Sequence, residues 1–309
     1  MSRPRIQVRE VGLRDGLQMV EQIVPTETKL EWLQKEAALG VRDFDITSFV
    51  SKSRMPQFAD AELMVAASKQ QEGIQASALT LNARGAERAL EAGAKRLVFV
   101  LSASAAHSKG NAGRDTDTAL QEFAQVVELA HQQPHPVHVE AGLATSFGCT
   151  LEGSVDPQRV IQLAKRLADH GADELMLADT VGYANPMQVR TLFEAVGNAI
   201  DHKLPLGAHF HDTRGLALAN VTAALEAGVR KFDGALAGLG GCPFAPGASG
   251  NVATEDLVFL LESMGFDTGI DLQGLLSLRE ELQHWLPGVA LSGSIARAGL
   301  PKSFLEPAL

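Results

Sequence analysis

"EVGLRDGLQ", residues 10–18, follows the first strand-like run of the chain, "RIQVREV", and governs how the rest is read. An open, doubly wound sheet that binds a dinucleotide would carry G-x-G-x-x-G at this turn. Here Gly12 and Gly16 bracket Leu13, Arg14 and Asp15 instead, which weakens that architecture and puts two charged residues at the end of a strand. Outward from this turn one unit repeats: a short apolar run, a polar loop, then a stretch with helical spacing. Strand-like runs recur at 44–49, 74–80, 96–102, 137–144, 174–180, 204–211 and 231–238, which makes eight with the first.

The helical stretches have recognisable ends. One runs from Thr26 to Leu39; others start after Asp115 and Asp117, after Asp156 with Pro157, and after Asn185 with Pro186, where a capping side chain precedes a proline whose fixed φ suits the first helical turn. Gly40, Gly93, Gly171 and Gly228 stand between a helical stretch and the next strand, where a left-handed residue ends a helix. Strands alternating with helices pair in parallel, and eight such units imply an α/β fold, a closed (β/α)8 TIM barrel, with the open sheet as the alternative. Residues 1–267 are expected to form the barrel. Residues 268–309 have helical patterning followed by loops and are expected to form a short helical carboxyl-terminal extension of the same domain.

Composition limits the function. The chain has 309 residues, of which 45% are hydrophobic and 21% charged, and a net charge of −10 without a Lys/Arg run. Nucleic acid and anionic membrane surfaces therefore have no electrostatic claim on it. Cys149 and Cys242 are the two cysteines, the usage of a reducing compartment rather than of a disulfide framework. The amino terminus enters a strand pattern directly, and no window is apolar enough to span a bilayer. A cytoplasmic location is expected.

In a barrel of this kind chemistry gathers at the carboxyl ends of the strands. Arg14 and Asp15 follow the first; Asp45, Thr47 and Ser48 lie on the second; Asp179 and Thr180 end the sixth; His209, His211 and Asp212 end the seventh; the eighth opens into "GLGGCPFAPGASGN" with Cys242 and Asn251. His209 and His211 are one residue apart on a strand, so both imidazoles leave the same face about 7 Å apart along the backbone. One histidine in the core and one at a strand end would be the bland reading. Oxygen donors at the same mouth, Asp15 and Asn251, favour a shared cation instead. Two imidazoles with hard oxygens suit Mg²⁺ or Mn²⁺, while catalytic zinc stays open. The glycine-rich segment around Cys242 reads as a lid, and a thiol beside a cation and Arg14 gains acid–base character.

These residues resemble a known family. The stretches "EVGLRDGLQ", "TSFVS" (47–51), "MPQFAD" (55–60), "LADTVG" (177–182), "HFHDTRGLALAN" (209–220) and "AGLGGCPFAPGASGNVATEDLVFLL" (237–261) are similar to 3-hydroxy-3-methylglutaryl-CoA lyases and related metal-dependent barrel lyases and synthases. The resemblance implies retro-Claisen cleavage of a 3-hydroxyacyl-CoA to acetyl-CoA and a keto acid, as in leucine degradation, by a homo-oligomer (dimer or tetramer). It implies that Asp15, His209, His211 and Asn251 hold a divalent cation, that Arg14 stabilises the enolate oxygen, that Cys242 returns a proton to the acetyl-CoA carbanion, and that Asp179 helps remove the hydroxyl proton. Glu10 and Asp45 match carboxylates of the family pocket, where Glu stands at the Asp45 position. Lys109 and Asn111, in "SASAAHSKGNAGRD", are expected to meet the coenzyme A phosphates.

The chain departs from the family wording in two further places. Met19 and Val20 replace the polar residues of "GLQNE", and Gly142 stands where the family carries an aromatic residue in the fifth strand; both are expected to alter the pocket wall. A related thioester such as citramalyl-CoA, or a longer branched analogue, is therefore an alternative substrate. A condensing synthase is a further alternative, set back by the lack of a long regulatory region and by the GLGGCP segment, and so is a coenzyme A-binding module without chemistry, set back by the intact Arg14, Asp15, His209, His211 and Cys242 set.

Overall fold

The computed structural model describes residues 3–241 and 250–305. Eight parallel strands, β1 (Gln7–Glu10), β2 (Asp43–Ser48), β3 (Gln75–Thr80), β4 (Arg96–Ser102), β5 (His138–Ala144), β6 (Glu174–Asp179), β7 (Leu206–Phe210) and β8 (Lys231–Gly234), pair in sequence order and close through β1 and β8 into a barrel. Each expected strand is present and the ends move by a few residues at most, except for β8, which stops at Gly234 because Leu236–Gly238 turns in a short 3-10 segment.

The helices that cover the barrel are α1 (Thr26–Ala38), α2 (Ala61–Ser68), α3 (Ala83–Glu91), α4 (Ala105–Ala112), α5 (Thr116–His131), α6 (Pro157–Asp169), α7 (Pro186–Ala199), α8 (Ala217–Glu226) and α9 (Thr254–Ser263). Their starts follow from the capping chemistry: Asp115 Oδ1 accepts from Thr118 N, Asp156 Oδ1 from Gln158 N, and Asn185 forms a reciprocal capping box with Gln188. Gly40 has φ of +98°, and a Cβ placed there would lie 2.1 Å from the carbonyl oxygen of Gly269, so this turn needs glycine both for its left-handed backbone and for the close approach of the chain.

Outward-facing strand residues pack against these helices and form the hydrophobic core. On β4 this set is Leu97, Phe99 and Leu101, with Phe99 against Phe123 of α5 at a centroid separation of 5.5 Å. A fully buried Phe or Leu of this kind contributes about 1.5–3 kcal/mol relative to exposure. Beyond the barrel, α10 (Leu272–Trp285) buries Leu275, Leu278 and Leu282 and brings Trp285 to 6.4 Å from Trp32 of α1. Ser292 N then donates to the carbonyl of Ala237, tying this extension to the loop after β8. No helix among the described residues is long and apolar enough to cross a membrane.

The interior of the barrel is divided. One part is charged and joins β1, β5, β6 and β8: Arg9 holds Asp233 through Nε and Nη2, both at 2.8 Å, and Glu140 through Nη1 at 2.7 Å, while Lys231 reaches Glu140 and Glu174 at 3.0 Å each. The other is apolar, formed by Leu79 of β3, Val98 and Val100 of β4 and Met176 of β6, with Gly142 of β5 among them.

Candidate active site

A cavity of about 540 Å³ opens at the carboxyl ends of the strands and reaches down to Arg9, Glu140 and Asp233. Its most polar corner is built by three segments. After β1 the backbone makes one π-helical turn, Gly12–Gly16, which carries Arg14 and Asp15 inward. β7 supplies His209 at its end and His211 just beyond it, and the bridge between His211 and Asn251 brings in the segment after the eighth strand.

The ligand atoms of Asp15, His209 and His211 all lie within 4.8 Å of one another. The two Nε2 atoms face each other at 3.1 Å, and Asp15 Oδ2 is 3.7 Å from His211 Nε2. Two imidazole lone pairs brought this close repel unless a proton or a cation lies between them. The tautomer agrees: His209 Nδ1 pairs with Asp233 Oδ2 at 3.0 Å, which leaves Nε2 free to act as a ligand. Asn251 Nδ2 donates to Asp15 Oδ2 at 2.8 Å and to the Leu239 carbonyl at 2.9 Å, so Asn251 orients the aspartate; its buried Oδ1 has no hydrogen-bond partner among the described residues. The residues therefore fit a divalent cation with mixed nitrogen and oxygen ligands.

The electrostatics follow from these contacts. Burial alone would raise Asp15, yet the charge of Arg14, the bond to His211 and the charges of both histidines hold it well below the usual carboxylate range. Burial would lower His209, but Asp233 raises it above the ordinary imidazole value. Arg14 is fixed from two sides, Nε donating to Asp45 Oδ2 and Nη1 to Asp15 Oδ1, both at 2.6 Å. Its guanidinium lines the cavity next to the histidines, while Asp45 stands behind it, fully buried.

Other expected site residues are placed differently. Glu10 faces the helices, because Arg9 takes the inward direction and neighbouring strand residues alternate. Its Oε1 accepts from the amides of Gly12 and Leu236 and its Oε2 from the Thr254 hydroxyl, so it clasps the turn that carries Arg14. Asp179 does not line the cavity: Oδ1 accepts from Tyr183 N at 2.8 Å and Oδ2 from Ala184 N at 3.0 Å, which commits both oxygens to the loop after β6. Lys109 lies on the exposed side of α4, whereas Asn111 lines the cavity. Met19 and Val20 are not part of the cavity wall; Gly142 is. Cys242 lies outside the described residues.

Some lining residues escaped the sequence reading. Arg54, in the loop after β2, and Arg114, between α4 and α5, add two cations to the lining, and a basic residue in a loop at the catalytic mouth was the available signal. His107, whose Nδ1 lies 2.8 Å from Ser102 Oγ, had no such signal.

Residues 5–282 match the model of the HMGL-like family. The chain belongs to that family. Among its HMGL-like relatives, the hydroxymethylglutaryl-CoA lyase YngG of Bacillus subtilis is 41% identical over 91% of this chain and 93% of its own length. A 3-hydroxy-3-isohexenylglutaryl-CoA/hydroxymethylglutaryl-CoA lyase of Pseudomonas aeruginosa is 37% identical over 90% of this chain and 92% of its own. A solved HMG-CoA lyase of Acinetobacter baumannii, in complex with coenzyme A and 3-methylmalate, superposes with a TM-score of 0.90 at 39% identity, covering 99% of this chain and 98% of that one.

Proposed function

We propose that the protein is a divalent-metal-dependent carbon–carbon lyase that cleaves 3-hydroxy-3-methylglutaryl-CoA or a close analogue to acetyl-CoA and a keto acid, acetoacetate for the methyl substrate. The observation that carries this reading is the convergence of Asp15, His209 and His211 on one centre with Arg14 held against it. Relatives named as HMG-CoA lyases, matched over nearly the whole chain, support it. Asp15, His209 and His211, with Asn251 as the further oxygen donor, would hold Mg²⁺ or Mn²⁺, and the cation when bound supplies Lewis acidity toward the substrate hydroxyl and carboxylate oxygens.

The chain's own residues then do the following. Arg14, pinned by Asp45 and Asp15, points a fixed positive charge at the thioester oxygen on which enolate charge develops as the carbon–carbon bond breaks, so its stabilisation grows toward the transition state. Asp233 keeps the His209 ring in one tautomer and orientation. Asp179 holds the loop after β6 through its two amide contacts. Asn111 with Arg54 and Arg114 in the cavity lining gives the coenzyme A phosphates a local positive field on an acidic protein. The proton returned to the acetyl-CoA carbanion is assigned to Cys242 on the sequence resemblance. A cytoplasmic homo-oligomer acting in leucine degradation completes the reading.

The test is a turnover assay on HMG-CoA with Mg²⁺ or Mn²⁺, following acetyl-CoA and acetoacetate. Stoichiometric formation of both is expected. Condensation of acetyl-CoA with 2-oxo acids in the absence of cleavage would replace this reading with a synthase.

A further inference from the structure

Glu140 stands on β5, across the closed barrel from β1, and lies buried at the floor of the cavity. Its Oε2 takes two cations at once, Arg9 Nη1 at 2.7 Å and Lys231 Nζ at 3.0 Å, while its Oε1 is buried without a hydrogen-bond partner among the described residues. A carboxylate that only neutralised the interior would spend both oxygens, because a buried acceptor left unpartnered is costly. Glu140 instead concentrates on one point between two cations. Buried ion pairs add little net stability over well-packed apolar side chains, so stability does not account for this arrangement.

Arg9 stands opposite Asp233 in the register of β1 with β8, and Lys231 lies two residues before Asp233, hence on the same face of β8. Two like charges on adjacent strands repel, and the shared Oε2 holds them together. Without it Lys231 would push against Arg9, and Nη1 would lose its contact with Glu140. Any movement of the guanidinium reaches the histidine pair directly: Arg9 Nη2 donates to Asp233 Oδ2 at 2.8 Å, and the same oxygen pairs with His209 Nδ1 at 3.0 Å. Three contacts thus lead from Glu140 to the imidazole. Resting on the metal centre proposed above, we infer that Glu140 is a positioning residue for that centre: from the opposite wall it braces Arg9 against Lys231, and thereby fixes the direction in which His209 presents Nε2 to the cation. The role is exerted through Arg9 and Asp233 and requires no contact with metal or substrate.

The test is calorimetric titration of the metal-free whole protein with Mn²⁺, arranged as a double-mutant cycle. Glu140→Gln keeps the shape of the side chain and removes its charge. It is expected to weaken Mn²⁺ binding about tenfold, the low end of the cost of losing a carboxylate directly behind a ligating histidine. In the Asp233→Asn background, where the path to His209 is already cut, the same substitution should cost about threefold less than it does in the wild type, because residues acting along one path are not additive. Arg9→Lys keeps every charge but gives up the fork that serves Asp233 and Glu140 together, so it should weaken binding at least as much as Glu140→Gln; it also keeps the test valid where the glutamine variant does not fold. An unchanged affinity in Glu140→Gln, the same loss in both backgrounds, or wild-type affinity in Arg9→Lys overturns the inference and leaves the lyase reading intact. A wild-type protein that binds no Mn²⁺ overturns the inference and the metal-dependent reading together.

Discussion

Arg9 grips Asp233 with two parallel hydrogen bonds of 2.8 Å from Nε and Nη2, and it does so beneath the histidine pair. Asp233 reaches His209 with the same oxygen that Nη2 holds. The arginine thereby keeps the aspartate ionised against its burial, together with the bond to His209, and fixes which way the imidazole turns. Asp233→Asn is expected to weaken Mn²⁺ binding roughly 10- to 100-fold, the usual cost of losing a carboxylate behind a ligating histidine. Calorimetric titration of the metal-free protein with Mn²⁺ measures this directly, and unchanged affinity would remove Asp233 from the role given to it.

Arg14 offers a second prediction. Its charge matters most after bond breaking has begun, so Arg14→Gln should lower kcat on HMG-CoA by about 10² to 10³ while KM moves much less. Asp45→Asn, which removes the fully buried anion behind the guanidinium, should lower kcat by less than this. A variant in which KM alone rises would make Arg14 a ground-state anchor.

Metal removal is the third. A chelator is expected to abolish turnover, with rescue by Mg²⁺ or Mn²⁺. Because only the folded chain brings Asp15, His209 and His211 together, Mn²⁺ at a hundred times its dissociation constant should add about 2.7 kcal/mol of stability. Chemical denaturation with and without Mn²⁺ reads this out independently of catalysis, and identical curves would argue against a cation at this centre.

The fourth concerns pH. Burial pushes Glu10 up to about 8 and holds Glu36 of α1 well above the ordinary carboxyl range, with the charge of Glu10 adding to the effect on Glu36. A carboxyl raised in the folded state binds its proton more tightly there than in the unfolded chain. Its contribution is thus fully present below the unfolded value near 4.5 and is lost as pH rises toward 8. Glu36→Gln should accordingly be neutral near pH 4 and stabilising by about 1–3 kcal/mol at pH 8. Denaturation midpoints of both proteins across this range test it; a gain independent of pH would point to packing instead.

The barrel was legible because each of its signals is local. Eight apolar runs, the caps at Asp115, Asp156 and Asn185, and the glycines that end helices need no knowledge of distant residues, and all of them reappear in the structure. The histidine pair was legible for the same reason, since strand alternation alone puts His209 and His211 on one face. Where a side chain points relative to the barrel axis was harder. Alternation in "QVRE" does imply that Arg9 and Glu10 face opposite ways, and the charged interior that holds Arg9 shows which of them is inside. The surroundings of Asp179 were not legible, because a strand-end aspartate can serve either a substrate or the next loop's amides, and its contacts with Tyr183 N and Ala184 N belong to the folded chain alone. The network of Arg9, Lys231, Glu140 and Glu174 joins four strands far apart in the chain, so no window of sequence contains it.

The ion pairs inside the barrel have a consequence for descent. Arg9 and Lys231 tie β1 and β8 to Glu140 on β5 and Glu174 on β6, so losing any one of these four charges takes a partner from a buried ion on a strand far away in the chain. Leu79, Val98, Val100 and Met176 carry no such obligation, and evolution can redraw the cavity at those positions while the charged lattice stays as inherited.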